Sequence, residues 1–555
     1  MTMTALRALL RTKFEFSPAA AATKLSLLRS LRHLQLPTAA AVLELHEHLC
    51  FVRAYPDDER VLKAAQGLLR TFAQRRDLRR FATQLEDTGV AGTAIQYLFF
   101  AATAARLAAK FPRQLTICWD DDEVEALTRV LPLLSRWAET PALDEQERTT
   151  REWIDLQRGN KTTDATYVVQ RMQALHRDPF VHEKAYEALG LWLRLAPDKG
   201  TPSRTLAAAP VARVAYQKGP VHSARPDLKA VLHESPLAVR ELDPKEGARY
   251  VEMARDAMVT RQRDLDAFAY GDCNDVRLVE WEDGLSFAAI GVIPERRLLL
   301  EAVYGFLTLK NGTPMGYVLN SALFGSAEIA YNVFDTFRGG EAGHVYGRVL
   351  ATVRALFGTD SFTIFPYQIG HENDEALQSG AWWFYQKLMF RSRDRSVLQL
   401  MRRELDRMER KPGYRSSIAT LKKLAPENVY YHMEEQRDDV IGILPLAKVG
   451  EAVTRMLALR FGADRERGEA ECVKAMQKLL SVPRLSALSE GERLAFSRWA
   501  PLVAVLPGVG TWSAKELKGL REVVLGKGAR RESDFVRAFD GHGKLRAAIE
   551  ALLQA

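Results

Sequence analysis

The chain has 555 residues, 47% of them hydrophobic and 27% charged, with a net charge of +8. This length and apolar share predict about three to four units with sizeable cores. The four cysteines, Cys50, Cys118, Cys273 and Cys472, are widely scattered, which excludes a disulfide-built scaffold and predicts free thiols in a reduced, cytoplasmic setting. The positive balance suits a phosphate-bearing ligand or nucleic acid. Acids interleave with bases along almost the whole chain, so charge alone selects neither.

Residues 1–13 lack the long apolar core and cleavage site of a signal peptide. The most apolar stretch, 90–109, contains Gln96, Thr103 and Arg106, which predicts a buried helix and no membrane span. Residues 1–196 read as a helical N-terminal region, with helix-period segments at 4–13, 38–52, 58–75, 92–110, 122–138 and 164–195. A strand-like run from Gln114 to Trp119 interrupts them. His46, His48 and Cys50 stand close together, but such a cluster more often packs than binds a metal, and no metal is expected. Asp120, Asp121 and Asp122 read as caps of the helix that follows them, because carboxylates favour a helix N-terminus.

Residues 197–231 change character. P-D-K-G-T-P-S-R and scattered Ala, Pro, Gly, Lys and Arg predict a linker or an arm lying over the next domain. A first strand is predicted within 236–246, a long amphipathic helix over 244–268, and a hairpin over 276–293 turning at Asp283 and Gly284. That hairpin is read as a docking piece for the helical flanks. The next two strand-like runs, Y-G-F-L-T-L-K and M-G-Y-V-L-N, meet at Asn311 and Gly312, the strongest short-range hairpin signal. Residues 327–337, A-E-I-A-Y-N-V-F-D-T-F, predict a further strand. It runs into R-G-G-E-A-G, 338–343, and then into a helix stopped by Gly358.

A strand, a glycine-rich turn and a helix start suit a phosphate. The first N–H groups of a helix lack partners, and the helix dipole makes that end positive. Gly339, Gly340 and Gly343 let backbone approach an anion, and Arg338 adds a charged donor. S-F-T-I-F-P-Y, 361–367, then reads as a strand, and A-W-W-F-Y-Q-K-L-M-F, 381–390, as the end of a helix.

Together these residues resemble the GNAT acyltransferase superfamily. There a strand ending V-x-P-E-x-R-G-x-G-x-G leads into the helix that holds the pyrophosphate of acetyl-CoA, and Val333, Arg338, Gly339 and Gly343 fall on its V, R, first G and last G. Ala381, Tyr385, Lys387, Leu388 and Phe390 match the family's A-x-x-x-Y-E-K-L-G-F. G-T-P-M-G-Y-V, 312–318, is similar to its G-x-P-V-G-Y. Three departures stand out. Glu341 replaces the middle glycine of the turn, Met389 replaces a glycine, and Gln378 stands where an Asn often touches the CoA arm.

The resemblance implies an α/β fold: a GNAT-like mixed-sheet domain over 232–395 between mainly α-helical N-terminal and C-terminal regions. It implies transfer of an acyl group from acetyl-CoA, or another acyl-CoA, to an amine on a small molecule or protein. Acyl transfer needs a deprotonated amine, donors for the tetrahedral oxyanion and a proton for the departing thiolate. Glu328 sits where some members carry the general base. The backbone at Asn332, Val333 and Phe334 matches where members present N–H groups to the thioester carbonyl. Tyr385 matches the phenol that protonates the thiolate. Gln378 and Ala381 line the expected CoA path, with His344 and His371 as further candidate bases.

From 396 to 555 the pattern is helical again. The helix after Phe390 alternates arginines with Glu404, Asp406 and Glu409, which predicts an ion-paired, solvated face. Further segments lie at 416–424, 445–461, 467–480, 490–505, 513–526 and 532–553. L-P-G-V-G-T-W-S-A-K-E-L, 506–517, is similar to the helix–hairpin–helix motif, whose tight turn offers N–H groups to a DNA phosphate, and Lys515 and Lys518 add charge. Two rival readings therefore stand beside the acyltransferase: a GNAT fold without catalysis, supported by Glu341, and a nucleic-acid-associated protein using 506–517.

Overall fold

The computed structural model describes residues 2–119, 124–145, 148–175 and 178–554; Asp120, Asp121 and Asp122 lie outside the described residues. The chain divides into two compact units. The first comprises Met1–Pro220, Arg249–Tyr270 and Lys310–Pro314; the second comprises Val221–Ala248, Gly271–Leu309 and Met315–Ala555. The sequence-predicted arm at 197–231 is thus split between them, and the C-terminal helices share a unit with the sheet.

The first unit is mainly helical. Ser17, Thr38 and Asp58 each cap a helix by accepting the backbone N–H three residues on, which starts the helices Pro18–Leu31, Ala39–Ala54 and Glu59–Arg70. Leu45, Leu49, Val61, Ala65 and Phe72 lie in their shared core. Three short strands, β1 (Ile95–Tyr97), β2 (Leu115–Ile117) and β3 (Leu193–Leu195), form an antiparallel sheet in the order β1-β3-β2. This pairing corrects two expected helices. The helix predicted from residue 92 begins only at Ala101, and the one predicted over 164–195 divides into Asp164–Leu175, Pro179–Glu187 and β3. Periodicity saw the apolar residues but not the partner that made them strands.

The second unit carries a nine-stranded mixed sheet flanked by helices. Its strands are β4 (Ala238–Glu241), β5 (Gly271–Glu280), β6 (Leu285–Val292), β7 (Ala302–Lys310), β8 (Thr313–Leu323), β9 (Ser326–Val333), β10 (Ser361–Ile364), β11 (Arg391–Ser392) and β12 (Val429–His432). Their order is β11-β12-β10-β9-β8-β7-β6-β5-β4. The predicted turns hold: Asp283 and Gly284, and Asn311 and Gly312, all have positive φ. Residues along β8 are buried on both faces, as expected of a central strand.

The helix Ala342–Phe357 packs on one face of this sheet. Its buried Val345, Val349, Leu350, Val353 and Leu356 follow helical spacing, and Gly358 ends it in the left-handed conformation. Tyr346 meets Tyr331 of β9 with ring centroids 5.2 Å apart, and Trp281 Nε1 donates to Thr352 Oγ1 at 2.9 Å.

The helices Glu490–Val505, Ala514–Gly528, Glu532–Asp540 and Gly543–Gln554 follow the sheet. The single helix predicted over 532–553 is two, parted at Gly541 and His542. A buried polar network joins them to the strands. Lys527 pairs with Glu532, whose side chain has 0% exposure, and also donates to the Glu301 carbonyl at 2.7 Å. Arg297 donates to the Lys527 carbonyl at 2.8 Å, Tyr304 OH donates to Asp275, and the Ser533 N–H donates to Tyr304 OH at 2.9 Å. Among the described residues, no helix is long and apolar enough to cross a membrane.

Candidate functional site

The site is built where β9 leaves the sheet. Parallel pairing with β10 covers only Ser326, Ala327 and Glu328. β10 stops at Ile364, while β9 continues to Val333 against β8. The Phe334 N–H donates to Met315 O at 2.9 Å. By strand alternation the Asn332 amide faces β8 as well, so Val333 is the residue whose N–H faces the open side. Of the three predicted backbone positions, one is therefore directed away from the ladder.

Past Val333 the chain makes a short 3₁₀ turn, Asp335–Phe337, and then the glycine turn. Gly339 takes φ +81° with open space where a Cβ would stand. Arg338 is not a free donor. It pairs with Asp335 at 2.7 Å and with Glu375, and donates to Val333 O at 3.1 Å. It ties the turn to the helix Asp374–Ser379.

Glu341 resolves differently from its sequence reading. Its side chain is 2% exposed, and one carboxylate oxygen accepts the His222 N–H at 3.4 Å. It is turned towards the arm. The arm also stacks the His222 ring on His344, with centroids 4.6 Å apart, and pairs His222 with Asp283 at 3.0 Å. Burial, then His222 and Arg348, hold the His344 imidazole below its usual pKa. Pro226 lies against the helix start, where a Cβ on Gly343 would come within 3.3 Å of its ring. Gly343 thus makes room for the arm.

A cavity of about 750 Å³ opens beside these residues. One side is formed by Gly339, Gly340, Ala342 and Gly343 with the arm from Ser223 to Pro226. The other is formed by Gln378, Trp383, Phe384, Lys387 and Leu388 with residues 413–416, 418 and 421. Arg225, Lys387 and Arg415 line it, and no carboxylate does. Among the described residues these three cations have no ion pair. In a chain whose charges otherwise alternate, this is a local excess of positive charge around a cavity open to solvent.

Gly339, Gly340, Gly343 and Gln378 of the predicted site therefore come together on the cavity wall. Asn332, Val333, Phe334, Arg338, Ala381, Tyr385 and Glu328 do not line it. Tyr385, 3% exposed, packs its ring against Tyr346 at 5.5 Å and Phe390 at 5.8 Å. Burial pushes its phenol well above the usual value. Glu328 is half-buried, and burial, reinforced by Glu301, pushes it up to about 7. Alternation along β9 puts Glu328 on the face opposite Tyr331, which donates to Ala342 O on the helix side. The two predicted catalytic side chains thus flank β9 from opposite faces, and its open edge is where those faces meet. His371 is exposed and lies outside the cavity lining.

The other sequence candidates are placed as follows. His46 Nε2 hydrogen-bonds with Thr205 Oγ1 at 2.9 Å and lies 3.8 Å from Cys50 Sγ, a buried packing contact. Among the described residues no cluster of His, Cys, Asp or Glu could hold a metal. Of residues 506–517, 506–513 connect the helices Glu490–Val505 and Ala514–Gly528 through a short 3₁₀ turn, Val509–Thr511, with Gly508 at positive φ, and 514–517 open the second helix. The second helix is capped by its own Ser513 and Glu516, each side chain accepting the other's backbone N–H.

Sequence reasoning missed Arg225 and Arg415. Each stands in a Pro- or Gly-bearing segment, A-R-P and P-G-Y-R, where no helix supplies an acidic neighbour at i±4. That isolation was the available signal. No family model matches the chain, and no similar curated protein or solved structure is found.

Proposed function

We propose that residues 232–395, completed by the arm, form a GNAT-type acyltransferase that binds acetyl-CoA or another acyl-CoA and transfers the acyl group to an amine. The observation that carries this reading is the cavity itself: a glycine turn at a helix start, three unpaired cations and no carboxylate around one volume. That chemistry fits a polyphosphorylated ligand. The splay of β9 from β10 supplies the Val333 N–H for a thioester carbonyl. Glu328, poised near 7, suits a general base at neutral pH. Tyr385, a firmly neutral phenol, suits protonation of the leaving thiolate.

A second reading is favoured by a separate observation. Tyr385 and Glu328 both lie outside the cavity lining, as they would in a GNAT-like fold that binds CoA without catalysis. Two measurements decide. Calorimetry with acetyl-CoA and free CoA tests binding, and CoA release from acetyl-CoA across a panel of amines tests turnover. Tyr385→Phe is expected to lower turnover roughly tenfold or more while keeping acyl-CoA affinity within a few-fold. Full activity in Tyr385→Phe removes the phenol's role. Binding without CoA release in the wild type selects the silent module.

A further inference from the structure

We propose that Arg415 selects the ligand by binding a phosphomonoester distinct from the phosphates at the glycine turn, and that buried Glu404 is its positioning residue. This rests on the acyl-CoA reading above and names the part of the ligand that Arg415 reads.

The cavity has two walls that differ in origin. The glycine turn and the arm make one, joined by Pro226 against Gly343. The other joins Trp383 to residues 413–416 of the segment between β11 and β12, because Trp383 Nε1 donates to Ser416 Oγ at 3.1 Å. Arg415 belongs to this second wall.

Its loop, K-P-G-Y-R-S, has no regular structure, yet it is tied on both sides of Arg415. Ser416 Oγ donates to Glu404 at 2.6 Å, and Tyr414 OH donates to the same carboxylate oxygen at 3.0 Å. Arg407 donates to the other oxygen at 2.6 Å. The Glu404 side chain is 0% exposed. A buried carboxylate is costly unless its acceptors are filled, and here one oxygen is filled by the two residues that bracket Arg415 and the other by Arg407. The arginine between them is left unpaired and lines the cavity. A guanidinium fork matches a phosphomonoester with two parallel hydrogen bonds. The ligand class is therefore one carrying such a group in addition to its pyrophosphate, as CoA does and dephospho-CoA does not.

The test is calorimetry on the full chain with CoA and dephospho-CoA. The wild type is expected to prefer CoA by about tenfold or more. Arg415→Ala should reduce CoA affinity to that for dephospho-CoA and leave the latter unchanged, and Arg415→Lys should restore part of the preference. Glu404→Gln should erode the preference without an equal loss for dephospho-CoA. Equal weakening of both ligands by Arg415→Ala, or a wild type that binds both alike, overturns the inference and leaves the acyl-CoA reading standing. Equal weakening of both by Glu404→Gln overturns the positioning role. No binding of either ligand to the wild type overturns the acyl-CoA reading itself.

Discussion

The sheet-bearing unit holds two groups of charged side chains built in opposite ways. In the network around Lys527, Glu532, Arg297 and Asp275, every member is buried and has a partner, although Asp275 Oδ1 and Glu532 Oε2 accept no hydrogen bond. Around the cavity, Arg225, Lys387 and Arg415 are exposed, drawn from three separate segments, and face no carboxylate. Buried charge must be satisfied within the chain, or the desolvation cost is not met. Exposed charge needs no internal partner and stays available to a ligand. The first group holds the C-terminal helices to the strands, and the second leaves the cavity lined by positive charge without a carboxylate.

The sharpest way to break this contrast is Glu532→Ala. It strands the Lys527 ammonium in the interior, and a loss of about 3–5 kcal/mol is expected on denaturant unfolding. Replacing both partners by apolar residues, Lys527→Met with Glu532→Leu, should recover most of that loss. The cavity cations should behave in reverse. Arg225→Ala and Lys387→Ala are expected to change stability by no more than about 0.5 kcal/mol. Each should weaken CoA binding by about 1.5–3 kcal/mol in calorimetry. A large stability loss in either would show that these cations serve the fold.

Glu328 sharpens the comparison through pH. Its carboxyl is pushed up to about 7 when folded, above its ordinary value. The folded state therefore binds this proton more tightly than the unfolded chain. The group's contribution to stability is full below its ordinary range and is lost as pH rises through about 7. Activity should move the other way, because a general base must be ionised, so turnover is expected to rise through the same interval. Glu328→Gln should flatten both profiles, as read by unfolding and CoA-release assays. The smallest effect is expected at the turn before Ala514–Gly528, whose helix start is already capped. Lys515→Ala with Gly508→Ala should leave CoA affinity unchanged, and titration with duplex DNA at low and high salt should show little specific binding in either protein.

Local signals carried much of this structure. Asn311 and Gly312, Asp283 and Gly284, and the stop at Gly358 are set by φ requirements that a sequence displays directly. The glycine turn and the helix after it were legible for the same reason. β1, β3 and β12 were not, because each is a short run whose strand character comes from its partner. Glu341 shows a different limit. Its type argued against an anion site, but its direction, towards the His222 amide, was set by an arm more than a hundred positions away. The place of Arg415 on the cavity wall stayed hidden because its loop is tied through Glu404, Tyr414 and Ser416 together, and no periodicity encodes that.

The packing of Pro226 on Gly343 bears on where this cavity-bearing module starts. A chain begun at residue 232 would keep every strand from β4 to β12. It would also lose Arg225, bare the surface of Gly343 and Gly347 that Pro226 covers, and leave Glu341 buried without the amide it accepts. Counted by strands, the module begins at β4; counted by what closes the cavity, it begins near Val221. A truncation designed from the sheet alone would also part Arg249–Tyr270 and Lys310–Pro314 from Met1–Pro220, the rest of their unit, so weak binding by it would say nothing about the whole chain.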